Sequence, residues 1–449
     1  MNFTEEQVES IAPTPSAFKA GKKLGVSSKW QSSGKSERVM WGTIKGSGSK
    51  PYYTQIDTQS LAYKCTCPSR QFPCKHAVAL MLVAANDPQS IVDTDEPEWV
   101  SEWINKRKGQ QQKSEQKKET PKTPEQIEKA QKNKEKTQVK RLESIQEGAA
   151  ELEDWISDLF KIGLVELPTK GMAEFAKVQA RMVDAKATGL ASWVRELSFL
   201  DYTKHQEWQD KAMKLLSKLY LLVKAIRNIQ HYEPLWQQTI KNLAGLSQSK
   251  KELLQDEQAE KIKDHWLVVG QEEEKNNDII TQRNWLYGLT TNRQALLLNF
   301  ATPFSTYETH LLPSSVIEAE LVFFPSIQPY RAIINLQKGT TNSLPKHSAL
   351  EILSLDQLMT SYRQYLNINP WIREQICVLE ACQQLRQGKQ HLLVSKGQSA
   401  LNISPRFSTQ KSLNWLSISN NKPVTIFALW QNEEIVPLGM LRDNQYTLF

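Results

Sequence analysis

The sequence predicts a multidomain α+β protein. It has an N-terminal module of strands and one helix, a helical middle region, and a C-terminal α+β domain with a mainly antiparallel sheet. The 449 residues leave room for about three domains. Apolar residues recur at steps of three and four in the middle of the chain, and short β-type runs fill its last part. We place the boundaries at 10–107, 108–138, 139–262 and 263–449.

The stretch from Cys65 to His76 concentrates metal-ligating side chains. It holds three of the five cysteines and one of the seven histidines, with the spacing C-x-C-x6-C-x-H. Thiolate sulfur and imidazole nitrogen are the ligands that Zn²⁺ prefers, and four of them complete a tetrahedral structural site. Because such a site leaves no position for water or substrate, the motif argues against a zinc hydrolase. We predict one structural Zn²⁺ held by Cys65, Cys67, Cys74 and His76.

The local sequence supports this arrangement. Residues 63–67 are typical of a strand end, and residues i and i+2 of a strand point to the same face, so both thiols of C-x-C can face one metal. Pro68 cannot donate to a β-ladder and ends the strand. The apolar run that follows His76 predicts a helix. The alternatives are inert buried thiols or a disulfide, but four ligand-type residues at this spacing favour metal.

The redox setting also favours free thiols. The chain start lacks the positive region and apolar core of a secretory signal. No apolar run approaches the roughly 18 residues that span a bilayer. We therefore expect a cytoplasmic protein with no membrane partner, where thiols stay reduced and available for metal.

The cysteine and histidine pattern resembles the SWIM zinc finger, a ββα-type treble module with C-x-C, a variable spacer and C-x-H. The likeness to bacterial proteins of this family extends over residues 10–107, from Trp41-Gly42 to Pro97-Glu98-Trp99. A further stretch, Arg181 to Ala185, is similar to a segment of the helical region in the same proteins. The resemblance implies binding to DNA or to proteins and names no reaction.

Positive charge is concentrated in the N-terminal module. Residues 17–80 contain eleven lysines and arginines but only two acids, whereas residues 86–100 contain five acids and no base. Basic side chains bind nucleic-acid phosphates, and interleaved aromatic rings can stack on bases. We predict that Lys64, Arg70 and Lys75 contact DNA or another nucleic acid, because the metal site fixes their neighbours. The alternative is that the lysines keep the module soluble and the aromatic residues form its core.

The other elements follow from composition and period. We predict strands over 39–45, 52–57 and 61–67, and a helix over 98–107 whose Trp99 and Trp103 pack on the module. Residues 108–138 are nearly devoid of aliphatic side chains, which predicts a basic flexible linker, partly helical after Pro124. The apolar stripe that begins at Val139 predicts a helical bundle, with Gly189 at a helix end.

The C-terminal part mixes both element types. Strands are predicted at 266–269, 285–288, 295–300, 317–324, 330–336, 391–395, 413–417, 424–430 and 435–441. Helices are predicted at 355–366 and 370–385, the second opened by a proline. Cys377 and Cys382 would then be buried thiols on a helix.

No catalytic motif was found. The sequence contains no phosphate-binding loop, no H-E-x-x-H and no G-x-S-x-G pattern, and its other histidines are scattered. We therefore expect a protein that is not an enzyme and whose zinc module recognises nucleic acid. The alternative is a protein-interaction adaptor, for example for an ATPase complex, in which the zinc is purely structural.

Overall fold

The computed structural model is mixed α+β, with strands and a helix at the N-terminus, a helical middle and antiparallel sheets at the C-terminus, as predicted. In the part of the chain that it describes, no helix is both long and apolar enough to cross a bilayer. The described residues are 3–46, 50–58, 62–69, 71–116, 124–203, 207–276, 279–302, 307, 309–345, 348–388, 390–395 and 400–449.

Residues 3–107 fold into one unit, which we call the head. Its sheet has the order β4-β3-β2-β1-β5, antiparallel except for the β1–β5 pair. One face of the sheet packs on helix α3, whose side chains from His76 to Ala84 are all buried. The elements are α1 (Glu5–Ile11), α2 (Pro15–Lys22), β1 (Trp30–Lys35), β2 (Val39–Ile44), β3 (Tyr52–Asp57), β4 (Tyr63–Cys65), α3 (Lys75–Asn86), β5 (Val92–Asp93) and α4 (Glu98–Gln116).

The head begins earlier than the expected residue 10. The side chains of Phe3 and Val8 are buried in its core. Two signals in the sequence mark the helices at the start of the head. Thr4 and Gln7 form a capping box at the start of α1, and Thr14 caps α2, which has a proline in its first turn.

Helix α4 covers the other face of the head sheet. Val100 is fully buried against Val39 and Trp41, and Trp99 and Trp103 pack beside them, as predicted. The helix continues to Gln116, beyond the predicted end at 107. The next helix begins at Pro124. The described parts of residues 108–138 therefore belong to the end of one helix and the start of the next.

The middle of the chain is a helical bundle. Ile145, Ala149, Leu152 and Ile156 of α5 form the buried stripe that the sequence predicts, but Val139, its predicted first residue, is exposed. Gly189 lies inside the first turn of α7 instead of at a helix end. A Cβ atom there would lie 1.9 Å from the Leu243 carbonyl oxygen, so the glycine permits close packing of α7 on α9. The helices are α5 (Pro124–Ile162), α6 (Gly171–Asp184), α7 (Thr188–Ser198), α8 (Glu207–Arg227), α9 (Pro234–Ala244) and α10 (Lys250–Gln255).

A closed five-stranded barrel follows the bundle, with the strand order β10-β8-β7-β6-β9. Its interior is filled by alternate side chains such as Trp266, Val268, Leu286 and Phe323. The strands are β6 (Lys261–Asn276), β7 (Ile279–Gly288), β8 (Gln294–Ala301), β9 (Val316–Phe323) and β10 (Arg331–Thr341).

The last part of the chain is a seven-stranded sheet. It covers the outside of the barrel, and Glu374 joins the two because its Oε1 accepts hydrogen bonds from Arg283, Trp285 and Tyr330. The elements are β11 (Ile352–Leu353), α11 (Leu355–Ile368), β12 (Glu374–Gln387), β13 (Gln390–Val394), β14 (Ala400–Asn402), α12 (Thr409–Ser419), β15 (Val424–Gln431), β16 (Glu434–Arg442) and β17 (Gln445–Leu448).

Two predicted elements of this sheet are wrong. The predicted helix 370–385 is strand β12, which carries the buried Cys377 and Cys382. A central strand covered on both faces is a continuous apolar run, which periodicity cannot separate from a buried helix. The predicted strand 413–417 is part of α12, where Ser412, Trp415 and Ser419 are buried at helical steps of three and four.

The head docks on the barrel through the connection between β8 and β9. Leu312 of this connection is 1% exposed and belongs to the core of the head. Gln7 donates side-chain hydrogen bonds to Ser314 (3.5 Å) and Asn342 (3.2 Å). The head and the barrel therefore share buried contacts that no local pattern in the sequence predicted.

His310 lies in the same boundary. Its ring centroid is 5.3 Å from that of Tyr63 on β4 and 6.1 Å from that of Tyr307. Burial, together with the nearby Arg107 charge, lowers the pKa of His310 to about 4. The imidazole is therefore neutral near pH 7.

Candidate metal centre

Two elements of the head position the four predicted ligands. Cys65 ends β4, paired with Thr54 of β3, and Cys67 follows two residues later. Cys74 is the N-cap residue of α3 and His76 lies in its first turn. The connection between them returns the chain through Pro68 and a cis Phe72–Pro73 peptide. The strand end and the helix start therefore bring two pairs of ligands to one point.

The ligand atoms of these residues all lie within 4.8 Å of one another. The Nδ1 atom of His76 is 3.8 Å from Sγ of Cys65 and 4.0 Å from Sγ of Cys74. Zn–S bonds of about 2.3 Å and Zn–N bonds of about 2.0 Å at tetrahedral angles place neighbouring ligand atoms roughly 3.5–3.8 Å apart. The donor set and its spacing both fit Zn²⁺, so the four residues form a candidate zinc site.

The sulfur atoms are too close to ionise together. Contact with Cys74, followed by His76 and Thr54, lowers the pKa of Cys65 to about 4, whereas contact with Cys65 and burial raise the pKa of Cys74. Burial also raises the pKa of Cys67. The Cys65 thiolate thus disfavours ionisation of Cys74, and a divalent cation removes this conflict because it stabilises every thiolate at once.

The surroundings hold the ligands in place. The Thr54 hydroxyl, fully buried, donates a hydrogen bond to Sγ of Cys65 at 3.2 Å. The Tyr52 ring lies 5.1 Å from the His76 ring. His76 and Cys74 are 5% and 3% exposed, whereas Cys65 and Cys67 are half-buried. The centre is therefore fixed to the core on the helix side and reaches the surface on the strand side.

Two of the predicted nucleic-acid contacts, Lys64 and Lys75, lie on different sides of the head sheet. Lys75 is exposed in the first turn of α3, beside the metal ligands. Lys64 is also exposed, but it precedes Cys65 in β4 and therefore points to the opposite face of the sheet, the side on which α4 packs. Arg70 lies outside the described residues.

The acidic segment after α3 folds back on one edge of the head. Strand β5 pairs with β1, and Lys35 lies 3.7 Å from Asp93. Arg38 makes a two-pronged ion pair with Glu96, with nitrogen–oxygen distances of 2.7 and 2.6 Å. These acids therefore neutralise Lys35 and Arg38 at this edge of the head.

Sequence reasoning missed two lysines near the centre. Lys29 and Lys45 are exposed and, together with Lys75, border a groove beside the ligands. They lie twenty or more residues from the motif in the chain, so only the pairing of β1, β2 and β3 brings them there. The sequence could have revealed helices α1 and α2 through their capping residues. Helix α2 lines the groove.

Comparisons with protein families agree with this architecture. A model of the SWIM zinc finger matches residues 52–85, which include all four ligands. A model of the SWIM-associated four-helix bundle domain matches residues 140–244, a range that ends with α9 and contains the Arg181 to Ala185 stretch. Searches of curated proteins and of solved structures returned no significant match.

Proposed function

We propose that the head, which contains the SWIM zinc finger, binds nucleic acid through the lysines near the zinc site. Zinc serves as a structural element in this proposal, because four protein ligands fill a tetrahedral centre and leave no open position for substrate. The protein would thus act by recognition and not as an enzyme.

The observation that carries the proposal is the separation of charge on the head. The acids at the β1 edge pair with Lys35 and Arg38. Among the described residues, Lys29, Lys45 and Lys75 form no ion pair. A cluster of unneutralised cations on one side of a small domain attracts phosphate backbones and releases their counterions on binding.

The distribution of metal ligands supports a role in recognition. Within the described residues, the centre on the head is the one group of three or more His, Cys, Asp or Glu side chains arranged to hold a metal. The buried Cys377 and Cys382 thiols lie in the C-terminal sheet, where burial raises the pKa of each. They are therefore poor nucleophiles, and the sheet serves as a scaffold in this proposal.

Fluorescence anisotropy with the full chain tests nucleic-acid binding. Labelled single-stranded and double-stranded oligonucleotides are titrated at 50 and 200 mM salt. We expect binding at low salt that weakens steeply at high salt, because lysine contacts release counterions. Absence of binding to either oligonucleotide at 50 mM salt would refute the proposal.

A role as a protein adaptor is the second candidate, and a different surface favours it. Phe160, Ile162, Val165 and Met172 lie near the end of α5 and the start of α6 and are between 45% and 68% exposed. Exposed apolar side chains in such number mark interaction sites on many soluble proteins. A Val165→Asp change that abolishes capture of a partner while leaving oligonucleotide binding intact would favour the adaptor role.

A further inference from the structure

A groove of about 830 Å³ opens beside the metal centre. Ala17 and Ala20 of α2, Ile44 of β2 and Tyr52 of β3 are among the apolar residues that line it, and Cys67 of the metal site lines it as well. Its volume is within the range of sites that hold ligands of the size of a nucleotide or a short oligomer. The groove is therefore large enough to receive part of a polymer chain.

The charged residues of the groove all have the same sign. Lys29, Lys45 and Lys75 line it, and no Asp or Glu is among the lining residues that the structure describes. All three lysines are exposed, and the Lys29 ammonium donates a hydrogen bond to the Lys23 carbonyl oxygen at 2.9 Å. Ser16, Ser69 and Gln71 add polar groups. A ligand that fills this space must combine negative charge with apolar surface.

Single-stranded nucleic acid has both properties. Its phosphates can contact the lysines while an unpaired base lies against the apolar lining. A duplex keeps its bases paired inside a convex surface and does not enter a concave site of this size. A peptide of acidic residues alone, such as poly-glutamate, would satisfy the lysines but would leave the apolar lining without a partner.

We infer that this groove binds single-stranded nucleic acid, an inference that rests on the proposed function and narrows it. Lys29, Lys45 and Lys75 hold the phosphates in this arrangement. Because Cys67 lines the groove, an intact zinc site is needed to keep one side of it in place. The three lysines come from separate segments of the chain, before β1, after β2 and at the start of α3, so the site exists only in the folded head.

The test compares the full-length wild type with two variants of equal charge. The groove variant is Lys29→Gln/Lys45→Gln/Lys75→Gln. The control variant is Lys64→Gln/Lys136→Gln/Lys140→Gln, whose exposed lysines are outside the groove lining. Each protein is titrated with a labelled dT12 oligonucleotide and with a 12-base-pair duplex at 50 and 200 mM salt. Zinc content and melting temperature verify that both variants are folded.

Three phosphate contacts on a single strand predict a salt slope of about −2, so the wild-type affinity for dT12 should fall about 20-fold between the two salt concentrations. The groove variant should lose this dependence, and the control should keep it. Equal losses in both variants, or full competition by poly-glutamate, would overturn the inference. Binding of the duplex but not of dT12 would overturn it while leaving the proposed function intact, and binding of neither would refute both.

Discussion

Replacement of Cys65 by serine tests the role of the metal in folding the head. A serine hydroxyl is a much weaker zinc ligand than a thiolate, so the centre keeps three of its four ligands. Thr54 also loses the sulfur atom to which its buried hydroxyl donates. We expect the Cys65→Ser protein to bind zinc far more weakly and its head to unfold.

The magnitudes decide this outcome. Structural zinc contributes about 10–16 kcal/mol to folding in small zinc modules at neutral pH. A whole domain is stable by only about 5–15 kcal/mol. Loss of most of the folding free energy that zinc contributes therefore exceeds the free energy of unfolding of the head. The bundle, the barrel and the C-terminal sheet have hydrophobic cores of their own and should stay folded.

Limited proteolysis combined with zinc analysis provides the assay. In the Cys65→Ser protein, we expect rapid cleavage within residues 3–107 and survival of a fragment that starts near α5. The control is Cys382→Ser, the same chemical change at a buried thiol of β12. It should lower stability without loss of zinc. If the Cys65→Ser head kept its zinc and its resistance to protease, the reasoning would be refuted.

Three further predictions concern other parts of the fold. Leu312→Ala should weaken docking of the head on the barrel by about 2–5 kcal/mol, because it removes a buried leucine side chain. The control is Leu385→Ala, the same change at an exposed leucine. Unchanged protease resistance of the head in the Leu312→Ala protein would contradict the prediction. Gly189→Ala should lower the melting temperature, since a Cβ atom would clash with a carbonyl of α9, whereas Gly339→Ala has open space and should be neutral. Acidification from pH 6.5 to 4 should destabilise the wild type by up to about 3 kcal/mol more than the His310→Gln protein. The reason is that His310 takes up a proton in this pH range only in the unfolded chain. Equal dependence of stability on pH in urea melts of the two proteins would contradict the prediction.

The metal centre was predictable because its information is local. Four ligand-type side chains within twelve residues leave few arrangements, and a strand before the spacer with a helix after it gives the observed pairing. The buried stripe of α5 was predictable for a similar reason, since helical periodicity appears directly in the order of residues.

Other features depend on contacts between distant parts of the chain. Strand β12 is apolar on both faces, so its sequence fits a buried helix equally well. The docking of Leu312 into the head joins residues more than two hundred positions apart. Lys64 and Lys75 are close in sequence, but alternation in β4 and the start of α3 place them on different sides of the sheet. The placement of β12 and the docking of Leu312 are set by tertiary packing and leave no local signal, whereas the alternation that turns Lys64 away from Cys65 is a local property of β4.

X-ray absorption spectroscopy at the zinc edge of the purified full-length protein tests the metal centre most directly. We predict one zinc per chain with three sulfur neighbours at about 2.3 Å and one nitrogen neighbour at about 2.0 Å. A spectrum with an oxygen neighbour from bound water, with fewer than three sulfurs, or with no stoichiometric zinc would contradict the account of a closed structural site.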